Sequence, residues 1–158
     1  MITMPAPIVS WYSADNTSQV TQWDIGTVDA GSVSTEFGVL IWNNRGGDSD
    51  VSDMTNTTIT TKDNAGGNTG ELVENTWIEA KVNSLAESNF NPMGGTVTRD
   101  LKAEDSNVDT GTIQGTSNDG TTANSAANFA DVSLRANVPP TATAGLVNFL
   151  TRVSYQYV

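Results

Sequence analysis

The side chains that could do chemistry in this chain are carboxylates and indoles. Asp48, Asp50 and Asp53, with Ser49 and Ser52 between them, offer clustered oxygen ligands of the kind hard cations take. The spacing does not complete an EF-hand loop, because the sixth position counted from Asp48 is Asp53 rather than Gly and the twelfth is Ile59 rather than Glu. The run therefore reads as a solvated loop, and no metal is expected. The 18 acidic residues leave a glycosidase-like carboxylate pair formally open, but nothing in their spacing fixes two of them at a working separation, and solvated charge is the ordinary reading. Trp11 and Trp77 are candidates for stacking on a sugar or contacting a protein; the competing reading is that each caps the chain's own core.

Other chemistries are removed by absence. With no Cys there is no thiolate nucleophile, disulfide or cysteine metal site, and with no His the commonest general base and transition-metal ligand are missing. None of the 14 glycines forms a phosphate loop, since no Gly-Lys-Ser/Thr and no Gly-x-Gly-x-x-Gly between strand and helix occurs. The expectation is a protein without catalytic residues or cofactor. A net charge of −11 with the basic residues scattered singly disfavours nucleic acid and anionic membrane as partners. No run approaches the roughly 20 apolar residues of a membrane helix, and Met1 to Ser10 has no basic n-region or apolar h-region, so a chain made in the cytoplasm without an export signal is expected.

The elements that would carry a binding surface are strands. At 158 residues one core is expected, and 37% hydrophobic residues amid abundant Gly, Asn, Asp, Ser and Thr suit short strands joined by polar loops. From Val147 to Val158, Val147, Phe149, Thr151, Val153, Tyr155 and Tyr157 alternate with polar residues, the period-2 pattern of a half-buried strand. Val132, Leu134, Ala136 and Val138 repeat it before Pro139 and Pro140, which end the ladder for want of amide donors. Phe37–Asn44 is the most continuously apolar run and predicts a central strand covered on both faces. Core positions are predicted at Val39, Ile41, Val132, Leu134, Val147, Phe149, Val153 and Tyr155.

Several segments are less decided. Residues 1–19 read as a Pro-rich N-terminal arm, in which Ile8 to Tyr12 is either a short first strand or a docking segment. Ile8, Val9, Trp11 and Tyr12 are its candidate protein-contact residues. Residues 20–158 form the single sandwich domain. Met54–Lys62 is a Thr-rich strand candidate. Glu71–Glu87 fits a helical face through Val73, Trp77, Ala80 and Ser84, or a strand through Thr76, Ile78, Ala80 and Val82; a strand over Thr76–Asn83 is favoured. Residues 90–128 carry only isolated apolar positions and predict a long polar loop or small hairpin excursion, with turns at Gly94-Gly95 and Asn118-Asp119-Gly120.

Two resemblances add to this reading. The stretch from Trp23 to Ser32, followed by a strand ending at Asn43-Asn44, resembles immunoglobulin-like sandwiches of cilia- and spindle-associated proteins, where two strands around a Gly-bounded turn form one edge of the fold. The whole order of arm, sandwich, polar excursion, Asp131–Pro140 and aromatic terminal strand resembles small virion proteins of tailed bacteriophages, the capsid decoration or accessory type. The implied fold is an all-β, immunoglobulin-like β-sandwich. The implied role is non-enzymatic, in the virion, binding the major capsid protein or another virion protein as a small homo-oligomer such as a trimer. The alternative is a carbohydrate-binding or adhesin-like module acting through exposed Trp11, Trp77 or Tyr residues.

Overall fold

The computed structural model describes residues 3–158; the first two residues of the expected arm lie outside the described residues. Among the described residues eight strands form two antiparallel sheets. The larger has the order β1 (Val9–Ser13), β2 (Phe37–Asn43), β7 (Phe129–Ala136), β4 (Ile78–Val82), β5 (Asn91–Met93). The smaller has the order β6 (Arg99–Asp100), β3 (Thr55–Asp63), β8 (Phe149–Gln156). One four-residue helix, α1 (Glu71–Glu74), precedes β4. This is the β-sandwich the alternating apolar pattern predicts, because each sheet can bury its inward-pointing set only against the other.

The core follows the strand period. On β2 and β7, Val39, Ile41, Val132 and Leu134 are buried between the sheets, with Ile59 of β3 and Ile78, Ala80 and Val82 of β4. β2 is covered on both faces as its continuous apolar run requires: Leu40 and Trp42 point to the opposite side and form a second cluster with Phe129 and the half-buried Tyr12. Arg45 lies over the Tyr12 ring at 3.8 Å and donates to Asn16, closing that side with an aliphatic stem and a charged tip.

Four expectations change. Val147 is not a core residue: it is 44% exposed and precedes β8, which begins at Phe149, while Phe149, Val153 and Tyr155 are half-buried against the core. The cause is the width of the small sheet, whose edge strand β8 has a neighbour on one side only. The segment Trp23 to Ser32, which the resemblance to immunoglobulin-like sandwiches implied to be a strand, is not one, yet its Trp23, Ile25 and Val28 still pack on the core. Residues 90–128 are the long, mostly irregular segment expected, but it packs on the core instead of projecting, since Met93, Leu101, Ala103 and Ile113 are fully buried. The arm read over residues 1–19 is in large part built into the sandwich: Val9–Ser13 pairs with β2 from Val9 opposite Asn43 to Ser13 opposite Val39.

What folds the polar segments down is a set of buried amides at the end of β2. Asn43 is wholly buried; its Oδ1 accepts the Ile8 N–H at 3.0 Å and its Nδ2 donates to the carbonyls of Ser52 and Ile113 at 3.0 and 3.2 Å. Asn44, at φ 60, donates through Nδ2 to Ser49 O and Gly115 O. Residue 115 must be glycine there, because a Cβ would come within 2.4 Å of the Val51 carbonyl oxygen. Asn128 donates to Gln114 O and Thr116 O, and Asn118 accepts from Gly46 and Gly120. Loop backbone that could not otherwise be buried is thereby satisfied.

Two measurements follow from this packing. In urea denaturation Ile41→Ala should cost about 3–5 kcal/mol, whereas Phe149→Ala, truncating a half-buried ring, should cost about half as much. Asn43→Leu keeps the volume but strands the Ile8 N–H and the Ser52 carbonyl, and should cost about 2–4 kcal/mol on the same assay; a loss under about 1 kcal/mol would mean the amide ties are dispensable.

Candidate functional site

A sheet of five strands over a sheet of three leaves an open flank. On that flank a groove of about 610 Å³ runs beside β8, lined by Trp11 of β1, Phe37 of β2, Leu134 of β7 and by Val147–Thr151. Residues 20–23 form its rim, where a further strand would otherwise lie. Trp23 spans the gap: its indole stacks on Phe37 at 5.5 Å and 11° and meets Phe149 edge-on at 5.9 Å and 81°. Both geometries suit aromatic quadrupoles. The remaining polar lining is Thr21, Gln22, Asn64, Asn148 and Thr151, so no ionisable side chain faces the groove. Such a surface can bury apolar groups and form hydrogen bonds, but it holds no acid or base.

The strand edges around it are treated unequally. A free edge exposes unpaired N–H and C=O groups, and folds blunt it by shortness, proline, charge or cover. β6 has two residues and β5 has three, one of them Pro92. The outer side of β1 is covered by the chain itself, with Val20 N–H donating to Trp11 O and Ser13 N–H to Ser18 O, both at 2.8 Å. β8 has eight residues, no proline and one charge, Arg152, and its outer side has no strand neighbour among the described residues. Exposed large hydrophobics gather along it: Leu146 (92%), Val147 (44%), Leu150 (39%) and Tyr157 (52%).

The residues singled out from sequence are dispersed differently. Of Ile8, Val9, Trp11 and Tyr12, Ile8 is exposed, Val9 and Trp11 pack against the main core and Tyr12 against the second cluster. Trp11 lines the groove, so one of the four joins the candidate site. Trp77 is buried and is a core residue rather than a contact. Asp50 and Asp53 each accept a backbone N–H, from Ser117 and Gly115 respectively, and so clip two loops together. Among the described residues no three acidic, His or Cys side chains group as a metal site would need. Trp23 and the β8 edge were missed as a site. The available signal was the absence of any Asp or Glu after Asp131, which leaves the terminal strand the least acidic part of an acidic chain.

None of the carboxylates with a shifted pKa lines the groove, and most are held ionised by hydrogen bonds from their neighbours. Asp63, at the end of β3 opposite Phe149, is held well below the usual carboxylate range by the Thr69 hydroxyl and the Gly67, Thr69 and Ala65 N–H groups. Asp119 is lowered likewise by the Asn124 amide and by Thr121, Asp15 by the Ser13 and Thr17 hydroxyls, and Glu71 by Thr143. Burial pushes Glu104 up, with Asp131 adding to it, but neither lines the groove. No known family model matches the chain, and no curated protein matches it significantly.

The lowered carboxylates set a pH dependence. Their folded pKa values lie below the unfolded ones, so their contribution is complete above the unfolded values near about 4 and is lost as pH falls through the folded values. Glu104 acts in the opposite sense, favouring the fold below its unfolded pKa. The urea midpoint should therefore hold steady above about pH 5 and fall below about pH 4, and Asp63→Asn should flatten that acid limb. An unchanged acid limb in the variant would remove Asp63 from this account.

Proposed function

We propose that the chain is a non-enzymatic structural protein that docks onto a larger protein assembly through the β8 edge and the adjoining groove. The setting we assign is the virion of a tailed bacteriophage, with an immunoglobulin-like sandwich serving as a capsid decoration or accessory protein. The observation that carries this reading is the contrast among edges: three are short, proline-bearing or covered, while β8 is long and open beside an aromatic groove. An added strand gains main-chain hydrogen bonds from such an edge and side-chain selectivity from the adjoining pockets. The uncharged lining suits a protein segment, and the acidic remainder of the surface keeps the free chain soluble.

A carbohydrate-binding module is the second reading, favoured by indoles beside amides in one groove, Trp11 and Trp23 with Gln22, Asn64 and Asn148. Against it, one face of Trp23 is already taken by Phe37, and Trp77 is buried.

The two readings separate on one pair of variants. Val147→Lys with Leu150→Lys places the usual edge-blunting charge at two exposed positions, so the fold should persist. Stoichiometric recovery of the wild-type chain in purified particles, and about tenfold or greater loss of it for the double variant under competition, is the expected outcome. Undiminished incorporation of the variant would contradict docking through β8. Glycan binding that survives the lysines and is lost in Trp11→Ala would favour the second reading.

A further inference from the structure

The β8 edge is open, but its sequence restricts what can pair with it. In an antiparallel ladder opposite residues point to the same face, so a strand that pairs with itself can do so only in registers centred on a residue. Phe149, Thr151, Val153 and Tyr155 face the core in β8, and Leu150, Arg152, Ser154 and Gln156 face out. A register centred on Arg152 would set two guanidinium groups directly opposite each other, which is unfavourable. One centred on Thr151 would run past the start of the strand at Phe149 and leave its end unmatched. Centred on Val153, the whole strand is used: Val153 meets Val153, Thr151 meets Tyr155, Arg152 meets Ser154, and Phe149 meets Tyr157.

Charge selects the same surface. In a chain of net charge −11, two copies repel wherever acidic faces approach, with a reach of about 8 Å at physiological salt. No Asp or Glu follows Asp131, and Arg135 and Arg152 are the only charged side chains in that stretch. The β8 strand itself therefore sets no carboxylate of one copy against a carboxylate of the other. Tyr157, 52% exposed and 6.3 Å from Tyr155, continues the inward-facing row beyond the end of the strand with nothing of its own chain to fill.

We propose that the occupant of the edge is a second copy of this chain, with the two β8 strands pairing antiparallel about a twofold axis through Val153. This rests on the reading of β8 as a docking surface and names its occupant in the free chain, a pairing that gives way where the same edge docks on the larger assembly. The two small sheets become one continuous sheet, with three strands from each copy. The partner's Tyr157 then lies beside Phe149 at the mouth of the groove, next to the edge-on Trp23 ring, and the arrangement is reciprocal. Each groove is completed by an aromatic side chain that the chain cannot supply to itself, and the twofold makes the contact isologous and closed. The nine paired residues of such a strand span about 30 Å.

The chain contains no Cys, so one introduced thiol reports the register without background. In the full chain, Val153→Cys sits opposite itself and should form an intersubunit disulfide under mild oxidation. Gln156→Cys, opposite the partner's Leu150, should not. Sedimentation of the wild-type chain should show a dimer whose fraction rises with salt as repulsion is screened. Ser154→Arg, an exposed position facing the partner's Arg152, should weaken the dimer about tenfold, and adding Arg152→Glu should restore it. A wild-type chain monomeric up to about 100 μM, equal cross-linking at 153 and 156, or a Ser154→Arg chain that dimerises normally would each overturn the pairing. If the lysine double variant loses particle association while the wild type stays monomeric, docking through β8 stands and the self-pairing alone is wrong.

Discussion

Everything on the open flank depends on how the end of β2 is tied down. Asn43 and Asn44 end a strand buried on both faces, and their amides reach the backbone at Ile8, Ser49, Ser52, Ile113 and Gly115. These contacts hold the N-terminal segment, the Asp48–Asp53 loop and the long polar segment against one point. A buried amide left without partners costs more than a made hydrogen bond gains, so the network holds these loops in one arrangement rather than merely adding stability. With those loops fixed, β1 is fixed, and with it Trp11 at the wall of the groove.

The second constraint is the inequality of the sheets. Strands lie about 4.8 Å apart, so two missing strands leave roughly 10 Å of the larger sheet uncovered. At the β8 flank that deficit is met by an irregular segment rather than a strand, with Trp23 laid flat on Phe37 and edge-on to Phe149. An irregular segment fills volume but offers β8 no ladder. The core is thereby sealed enough to be stable while the main-chain groups of β8 stay available, and this combination makes a binding role physically coherent.

The strands of the core were legible because period-2 alternation and continuous apolar runs report burial directly: β2, β7 and most of β4 lie where the pattern places them. The exposure of Val147 was not legible, because alternation states which way a side chain points and not whether the facing sheet extends far enough to cover it. The folding-back of residues 90–128 was hidden for a different reason. Its core residues Met93, Leu101 and Ile113 are isolated in sequence, and the ties that hold them come from Asn and Asp side chains that read locally as turn formers. The candidate site was legible in part: Trp11 was marked, whereas Trp23 lies in an irregular segment, and its pairing with Phe37 and Phe149 is set by the fold alone.

The central claim is that the main-chain groups along the outer side of β8 are free in the isolated chain and become paired on docking. Amide hydrogen exchange measured residue by residue over a wide range of protein concentration tests this most directly, because exchange reports the opening of individual hydrogen bonds. The account predicts that protection over residues 149–157 rises with concentration while β4, β5 and β6 stay unchanged. Protection of that strand independent of concentration, or a rise spread evenly over the sandwich, would contradict it.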